Sequence, residues 1–374
     1  MAGGILDQTD ITSIGDILRR HSAEQPDAIA LTLADREVSW AGLYDRSCRV
    51  AQGLAQAGVG PHDRVAFLDK NGAEHFEVLF GASFLNAVSV DVNWRLAPPE
   101  VQFIVDDSDA KVVVVGSEFV PVLDAIADQL PKVHTFLVIG GHDTHPDYDE
   151  WVAAHPADDP HLPSAMDDVA FQLYSSGTTG RPKGVMLTNA NFFGLAPMIE
   201  ERWELRADAV NLVSLPLFHI AGGGWALAGM YLGCRSVVVR DIDPVAIVRL
   251  IGEEGVTHAL FVPALLQFLL MVPGVEDADF STLELIVYGA SPISEDVLAR
   301  CVALFAPCKF LQAYGLTETT GAVTLLPPED HDLDGPNRHR LRSCGVAVPG
   351  VELRLVDLET GDDVPLGEVG EIWA

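Results

Sequence analysis

The sequence predicts an α/β protein with two alternating α/β subdomains built on parallel-type sheets, followed by the start of a small β-subdomain. Three observations predict it. Short Val- and Ile-rich runs alternate with stretches of helical period, the pattern of parallel strands covered on both faces. With 374 residues, 48% hydrophobic and 21% charged, the chain is globular in composition and too long for one simple core. Near residue 341 the texture changes to short alternating strands with turn signals between them, "VELRLVDLETGDDVPLGEVGEIWA". The expected divisions are residues 1–165, 166–340 and 341–374.

The elements follow in order. "TSIGDILRRHSAEQP" has Ile14, Ile17 and Leu18 at helical spacing, a Thr/Ser start and Pro26 as a stop. "SWAGLYDRSCRVAQGLAQAG" puts Leu43, Val50 and Leu54 on one face and ends at Gly58. The runs "RVAFL", "AVSVDV", "KVVVV" and "TFLVIG" read as strands, with "AEHFEVLFGASFL" and "PPEVQFIVDD" as helices among them. Pro-, Asp- and His-dense segments, "GGHDTHPDYDEW" and "HPADDPHLPSAMDD", read as loop and linker, their histidines too irregularly spaced for a metal site. A second alternating unit has "AFQLY", "AVNLVSL", "RSVVVR", "HALFV", "LELIVYG" and "KFLQAYG" as strands. Its helices are "PVAIVRLIGEEG", "PALLQFLLMV" and "SEDVLARCVALF".

Composition excludes several classes of function. A formal net charge of -31 argues against nucleic acid and anionic lipid as partners, since both need a positive field. No window approaches eighteen uninterrupted apolar residues, so no transmembrane segment is expected. The first twenty residues lack a basic region followed by an apolar one, as a secretory signal would have. Five scattered cysteines (Cys48, Cys234, Cys301, Cys308, Cys344) suit neither a zinc site nor a disulfide framework, and point to buried thiols in a reducing cytoplasm. A polyanionic substrate would bind such a chain only where local cations and backbone N–H groups overcome the overall repulsion.

One stretch offers such a place. "YSSGTTGRPKG", residues 174–184, follows the apolar run "VAFQLY". A Gly/Ser/Thr loop after a strand directs backbone N–H groups and hydroxyls toward one point, an anion cradle. Its glycines permit close approach and positive φ, and Lys183 adds a movable charge for a phosphate oxygen. The GxxxxGK[ST] spacing of P-loop proteins is absent, and Pro182 stands where their helix would be opening. A flexible surface linker would explain neither the strand before the loop nor the Pro-Lys-Gly after it.

The segment resembles the phosphate-loop signature of the AMP-forming adenylating enzymes, a superfamily that includes acyl- and aryl-CoA synthetases, peptide-synthetase adenylation domains and beetle luciferases. Further resemblances occur in the family's order. "VSWAGLYDRSCRVAQGL" resembles its N-terminal helix signature, "PLFHIAG" its acyl-pocket segment and "YGASP" its adenine-binding turn. "QAYGLTETT" resembles the motif that stacks on adenine and holds magnesium, and "GEVGEIWA" the start of the β-subdomain motif. The set spans essentially the whole chain, and the fold implied is the large N-terminal domain of the adenylate-forming fold.

The resemblance implies roles residue by residue. Ser175, Ser176, Gly177, Thr178, Thr179 and Lys183 would hold the β- and γ-phosphates of ATP. Gly289, Ala290 and Ser291 would line the adenine and acyl junction, with Gln312, Ala313, Tyr314 and Gly315 at the nucleotide and Tyr314 stacked on the base. Thr317 would reach the α-phosphate and Glu318 would ligate Mg²⁺, an oxygen donor suited to a hard cation. Outside "YGLTE", Glu318 would read as a solvated loop carboxylate.

The implied chemistry is activation of a carboxylic acid to an acyl-adenylate, followed by transfer to a thiol, coenzyme A, to give the thioester. An ionised carboxylate needs no general base, and the sequence offers no GxSxG and no Cys/His signature. Lys183, Thr317, Glu318 and His219 are the catalytic candidates, acting by positioning and charge stabilisation. Peptide-synthetase domains carry an aspartate where this chain has His219, so an amino-acid substrate is not expected. His219 reads equally as a neutral gate at the acyl entrance or as a buried structural histidine. Ala221, Gly222 and Gly223 remove side-chain volume ahead of Trp225, which suits a roomy apolar pocket for a fatty or fused-ring acid; the same glycines suit close helix packing.

The family's ribose-binding aspartate and its C-terminal domain, with the adenylation lysine, have no counterpart in residues 1–374. The expectation is therefore the N-terminal domain of a longer cytoplasmic enzyme, poorly active by itself, with a carboxylic acid, ATP and coenzyme A as small-molecule partners and a homodimer as its assembly. The alternatives are an aryl-CoA ligase of the coumarate type, an acyl-AMP ligase that loads a carrier protein, and a non-catalytic adenylate-binding module.

Overall fold

The structure, a computed structural model, describes residues 11–175 and 180–374. The chain divides into two compact units, Met1–Phe193 with Arg206–Ile242 and Gly194–Leu205 with Asp243–Ala374.

The first unit opens with α1 (Ile14–Glu24), β1 (Ile29–Thr32), β2 (Glu37–Ser39) and α2 (Trp40–Gln56). Ser39 caps α2, its hydroxyl accepting from Gly42 N–H. Next come β3 (Arg64–Leu68), α3 (Ala73–Phe84), β4 (Val88–Asp91), α4 (Pro98–Asp107), β5 (Ala110–Gly116), α5 (Val120–Ile126), β6 (Thr135–Ile139) and α6 (Tyr148–Ala153). β7 (Val169–Ser175) and β8 (Lys183–Thr188) complete a six-stranded sheet of order β6-β5-β3-β4-β7-β8, parallel except for the antiparallel β7–β8 pair. Its core joins Ala66, Val90 and Val113 from the strands to Val101, Ile104 and Leu123 from α4 and α5.

α3 is apolar nearly all round and buried along its whole length. Its acid Glu77 is satisfied by Arg46 Nε at 2.6 Å and Tyr148 Oη at 2.9 Å. After α7 (Asn189–Phe193) the chain enters the second unit for α8 (Ala196–Arg202), then returns for β9 (Val210–Val213), α9 (Ile220–Tyr231) and β10 (Arg235–Val238). β10 lies parallel between β9 and β1, and β2 pairs antiparallel with β1.

The second unit continues with α10 (Pro244–Glu253), β11 (His258–Phe261), α11 (Pro263–Leu269), β12 (Leu285–Gly289), α12 (Glu295–Leu304), β13 (Lys309–Leu316), β14 (Gly321–Leu326) and β15 (Val346–Ala347). β11, β12 and β13 are parallel, while β14 and β15 add antiparallel pairs. β16 (Arg354–Val356) and β17 (Glu371–Trp373) pair by themselves, antiparallel, which is the small β element expected near the end of the sequence.

The fold is mixed α/β with parallel-type sheets, as read from the sequence. The division expected between 165 and 166 falls inside the first unit. Sheet pairing is the reason: β7 joins β4, and β10, more than two hundred residues on, joins β1. No helix among the described residues is long and apolar enough to cross a membrane.

Candidate active site

Candidate residues on the first unit fall in two groups. The first is a hairpin. Ser175 ends β7 opposite Lys183, which begins β8. Lys183 thus opens a strand where a P-loop lysine would open a helix. Ser176, Gly177, Thr178 and Thr179 lie outside the described residues. A Cβ on Gly184 would fall 2.3 Å from Gln172 Nε2 and 3.0 Å from the Tyr174 ring, so a side chain there would have to displace the Gln172 amide. Tyr174 Oη donates to Asp107 Oδ2 at 2.7 Å, which ties the base of the hairpin to α4. Lys183 itself is exposed.

The second group is the turn into α9. His219 is its N-cap residue and packs against Phe218, ring centroids 4.4 Å apart. Although exposed, the imidazole is held below its ordinary pKa, first by lost hydration and then by the Arg95 guanidinium. It is a neutral ring at pH 7. Arg95 lies over Trp94, 4.5 Å from the ring centroid, and 5.9 Å from that of Phe218. Both reach the turn from the β4–α4 loop, a relationship that no motif announced.

The glycines after His219 serve backbone packing. A Cβ on Gly222 would lie 2.1 Å from Pro216 O, and one on Gly223 2.8 Å from Leu217 O. The helix thus folds back on the chain that enters it. At Gly222 and Gly223 the neighbouring backbone leaves no room for a side chain. Ala221 is half-buried at the helix start. Trp225 is 2% exposed, with its indole N–H donating to Leu212 O at 3.1 Å. Gly223 also borders a cavity of about 10 Å³, between His75, Asp91 and Leu227, with room for about one water.

The turn is held from a distance by buried Asn71. Its Nδ2 donates to Leu215 O and Val239 O, each at 3.0 Å, and its Oδ1 accepts from Leu217 N–H at 3.0 Å. Three of the amide's four bonds are thereby used. Sequence reading missed Asn71, because its partners lie about 145 and 170 residues away.

On the second unit two motifs that are separate in sequence become neighbours. The parallel register sets Gly289 opposite Ala313, and a Cβ on Gly289 would lie 2.1 Å from Ala313 O. "YGASP" and "QAYGLTETT" thus leave adjacent strands at the same end. Ala290 turns the chain at φ 63°, a left-handed conformation that costs about 1 kcal/mol or more without glycine's freedom. Ala290 and Ser291 are exposed, whereas Gln312, Ala313, Tyr314 and Gly315 are half-buried.

β13 and β14 shift register between Tyr314 and Gly315. Gly315 then passes so close to Gly321 that a Cβ would meet Gly321 O at 1.6 Å. Thr317, Glu318 and Thr319 form a single 3₁₀ turn, closed by Thr320 at φ 61°. Glu318 is exposed on this turn. Among the described residues no group of three or more His, Cys, Asp or Glu could hold a metal. An exposed carboxylate still fits Mg²⁺, which is commonly bound by one or two carboxylates together with substrate phosphates and water.

Behind the strand end, Tyr288 Oη and His331 Nε2 lie 2.9 Å apart, and His331 Nδ1 is 2.9 Å from Pro327 O. A carbonyl only accepts, so the proton sits on Nδ1 and Nε2 accepts from the tyrosine. This pair fastens β12 to the 327–331 segment, and it too was absent from the sequence reading.

Parallel strands that deliver two pinched turns at their carboxyl ends in one unit, and in the other a parallel sheet that ends in the antiparallel β7–β8 pair, make up the N-terminal domain fold of adenylate-forming enzymes. Residues 18–374 match the AMP-binding enzyme family, and the chain belongs to it. It is similar to the fatty acid–[acyl-carrier-protein] ligase ScoC of Streptomyces coeruleorubidus, 36% identical over 94% of this chain and 66% of that protein. It is also similar to a feruloyl-CoA synthase of Amycolatopsis sp., 32% identical over 94% of this chain and 68% of the relative. Among solved structures, the inhibitor-bound N-terminal domain of FACL13 from Mycobacterium tuberculosis superposes with a TM-score of 0.86 at 30% identity, covering 95% of this chain and 86% of that one. The chain spans about two thirds of the length of these curated relatives.

Proposed function

We propose that the chain supplies the nucleotide and acid sites of an AMP-forming acid–thiol ligase, whose first half-reaction is adenylation. A hydrophobic carboxylate oxygen attacks the α-phosphorus of ATP. The new O–P bond replaces the bond to the β-phosphate, and acyl-adenylate and pyrophosphate result. The thiolate of coenzyme A then attacks the acyl carbon, the C–O bond to AMP breaks and the thioester forms.

The observation that carries this reading is the register of Gly289 with Ala313, which sets the adenine-turn motif beside the Tyr314–Glu318 motif at one strand end. Tyr314 would stack on the base and Thr317 would reach the α-phosphate. Lys183 would neutralise the departing phosphates, a local cation in a chain whose net charge of -31 otherwise repels them. Glu318 would hold Mg²⁺, which when bound offsets phosphate charge. His219, a neutral ring at the start of α9, would border the acid. No proton needs removing from an ionised acid, so the chemistry rests on orientation and charge.

Fatty and fused-ring acids are the proposed substrate class, with aryl acids the alternative that the similarity to a feruloyl-CoA synthase supports. One observation favours a second acceptor: ScoC, 36% identical, is a ligase of an acyl-carrier protein, so transfer to a carrier's thiol competes with transfer to coenzyme A. The test is a panel of fatty, aryl and amino acids with the complete protein, read by pyrophosphate release and then by thioester formed on coenzyme A or carrier protein. Release that depends on a fatty or aryl acid is the expected result. Release with amino acids alone, or none at all, overturns the reading.

A further inference from the structure

We infer that Thr319 is a positioning residue for the reaction, holding the turn that presents Thr317 and Glu318. The inference rests on the proposed function, which assigns those two residues to the nucleotide and its cation.

The turn connects β13 to β14 where Leu316 pairs with Gly321. It is one 3₁₀ turn of three residues, and its N-cap residue Leu316 has no side-chain oxygen with which to cap it. The Thr319 hydroxyl supplies the missing group from the other end. It accepts from Leu316 N–H at 3.0 Å, and it stands 3.0 Å from Leu316 O and 2.9 Å from Gly321 O, to either of which its single proton can be donated. One hydroxyl thus bridges the two chain ends that flank Thr317 and Glu318. The backbone adds Thr320 N–H to Thr317 O at 3.0 Å.

The surroundings work against the turn. Thr320 is buried in a left-handed conformation that a β-branched residue adopts only when its neighbours impose it. At the base of the turn Gly315 and Gly321 are pressed backbone to backbone. Without the Thr319 bridge, strain at Thr320 and the exposure of Leu316 favour an open turn. Preorganised groups lose much of their effect when displaced by as little as 1 Å.

The test compares Thr319→Val, which keeps the shape and removes all three contacts, with Thr319→Ser, which keeps the hydroxyl. Both are made in the complete protein, with Glu318→Gln alongside. Three quantities are measured: calorimetric affinity for a non-hydrolysable ATP analogue with Mg²⁺, the Mg²⁺ dependence of pyrophosphate release, and the melting temperature. T319V is expected to lose about tenfold in analogue affinity and to need severalfold more Mg²⁺. T319S should stay within about twofold of the parent, and both variants should melt within about 2 °C of it. A parent-like T319V, a T319S as impaired as T319V, or a lowered melting temperature with unchanged affinity overturns the positioning role. A parent-like E318Q sinks the assignment of Glu318 itself, whereas a defective E318Q beside a parent-like T319V sinks only the role of Thr319.

Discussion

Tyr288 donates its phenolic proton to Nε2 of His331 across 2.9 Å, and the other nitrogen of that ring is bound to Pro327 O. The pair requires a neutral imidazole. Burial, the leading cause, holds the His331 pKa below the ordinary 6.5. The sign follows. Above about pH 6.5 both folded and unfolded chains carry a neutral ring and the contact is fully present. As pH falls, the unfolded chain takes up its proton first, so stability is lost down to the folded-state pKa, by at most about 1.4 kcal/mol per pH unit for one group. His21, its pKa also lowered chiefly by burial, adds in the same direction. The melting temperature of the parent should drop between pH 7.5 and 5.5. In His331→Gln, which keeps an acceptor for Tyr288 but does not titrate, the drop should be shallower. An unchanged pH slope would show that the ring is not held neutral.

The glycine run at the start of α9 separates packing from substrate room by substitution. At Gly222 an added methyl meets Pro216 O at 2.1 Å, while at Gly224 the nearest atom is the Ile220 Cδ1 at 3.4 Å. Alanine gains about 1 kcal/mol over glycine inside a helix, but overpacking against backbone costs about 1–3 kcal/mol. Gly222→Ala should therefore destabilise and Gly224→Ala should be neutral or stabilising, both read from thermal unfolding. If Gly222→Ala melted like the parent and only narrowed acid choice, the run would be there for the substrate.

These contrasts show what the sequence could convey. Strands such as Val112–Val115 and helices such as α2 were legible because a buried face imposes its period on the residues themselves. The hairpin that starts β8 at Lys183 was not, since its second strand is mostly solvent-facing and has an exposed Met186. The strand pair β1–β2 was too short to carry a period. The motifs that carry the proposed site residues were legible by resemblance. Asn71, Arg95, Thr319 and His331 were not, because each matters through partners set by the fold: Asn71 reaches Leu217, and His331 reaches Tyr288. A glycine's meaning was half legible, its small size being plain and the backbone that it must clear being invisible.

Magnesium gives a direct chemical test. Glu318 is the carboxylate on the 317–319 turn, and Mg²⁺ commonly needs only one or two protein oxygens beside phosphate. Glu318→Gln keeps the shape and removes the charge. In the complete protein, pyrophosphate release should fall at least tenfold, about 1.4 kcal/mol in barrier, and should need more Mg²⁺ for half its maximum. Chelation of Mg²⁺ should abolish release in both proteins. A Mg²⁺ titration superimposable on the parent's would remove Glu318 from the site.

Lys183 tests the hairpin. It starts β8 opposite Ser175 and is exposed, so Lys183→Ala should change folding stability by no more than about 0.5 kcal/mol. Its proposed work is on phosphates that leave as pyrophosphate, where a preorganised charge contributes about 2–4 kcal/mol to the barrier. Adenylate formation should then slow by about thirtyfold to a thousandfold. Thioester formation from supplied acyl-adenylate contains no pyrophosphate, and it should keep most of its rate. The comparison of the two half-reactions in one variant decides the matter, because a general loosening of the hairpin would lower both. Equal losses, or a lower melting temperature without a selective kinetic defect, would make residues 174–184 a structural hairpin and return the phosphate-binding role to residues elsewhere in the chain.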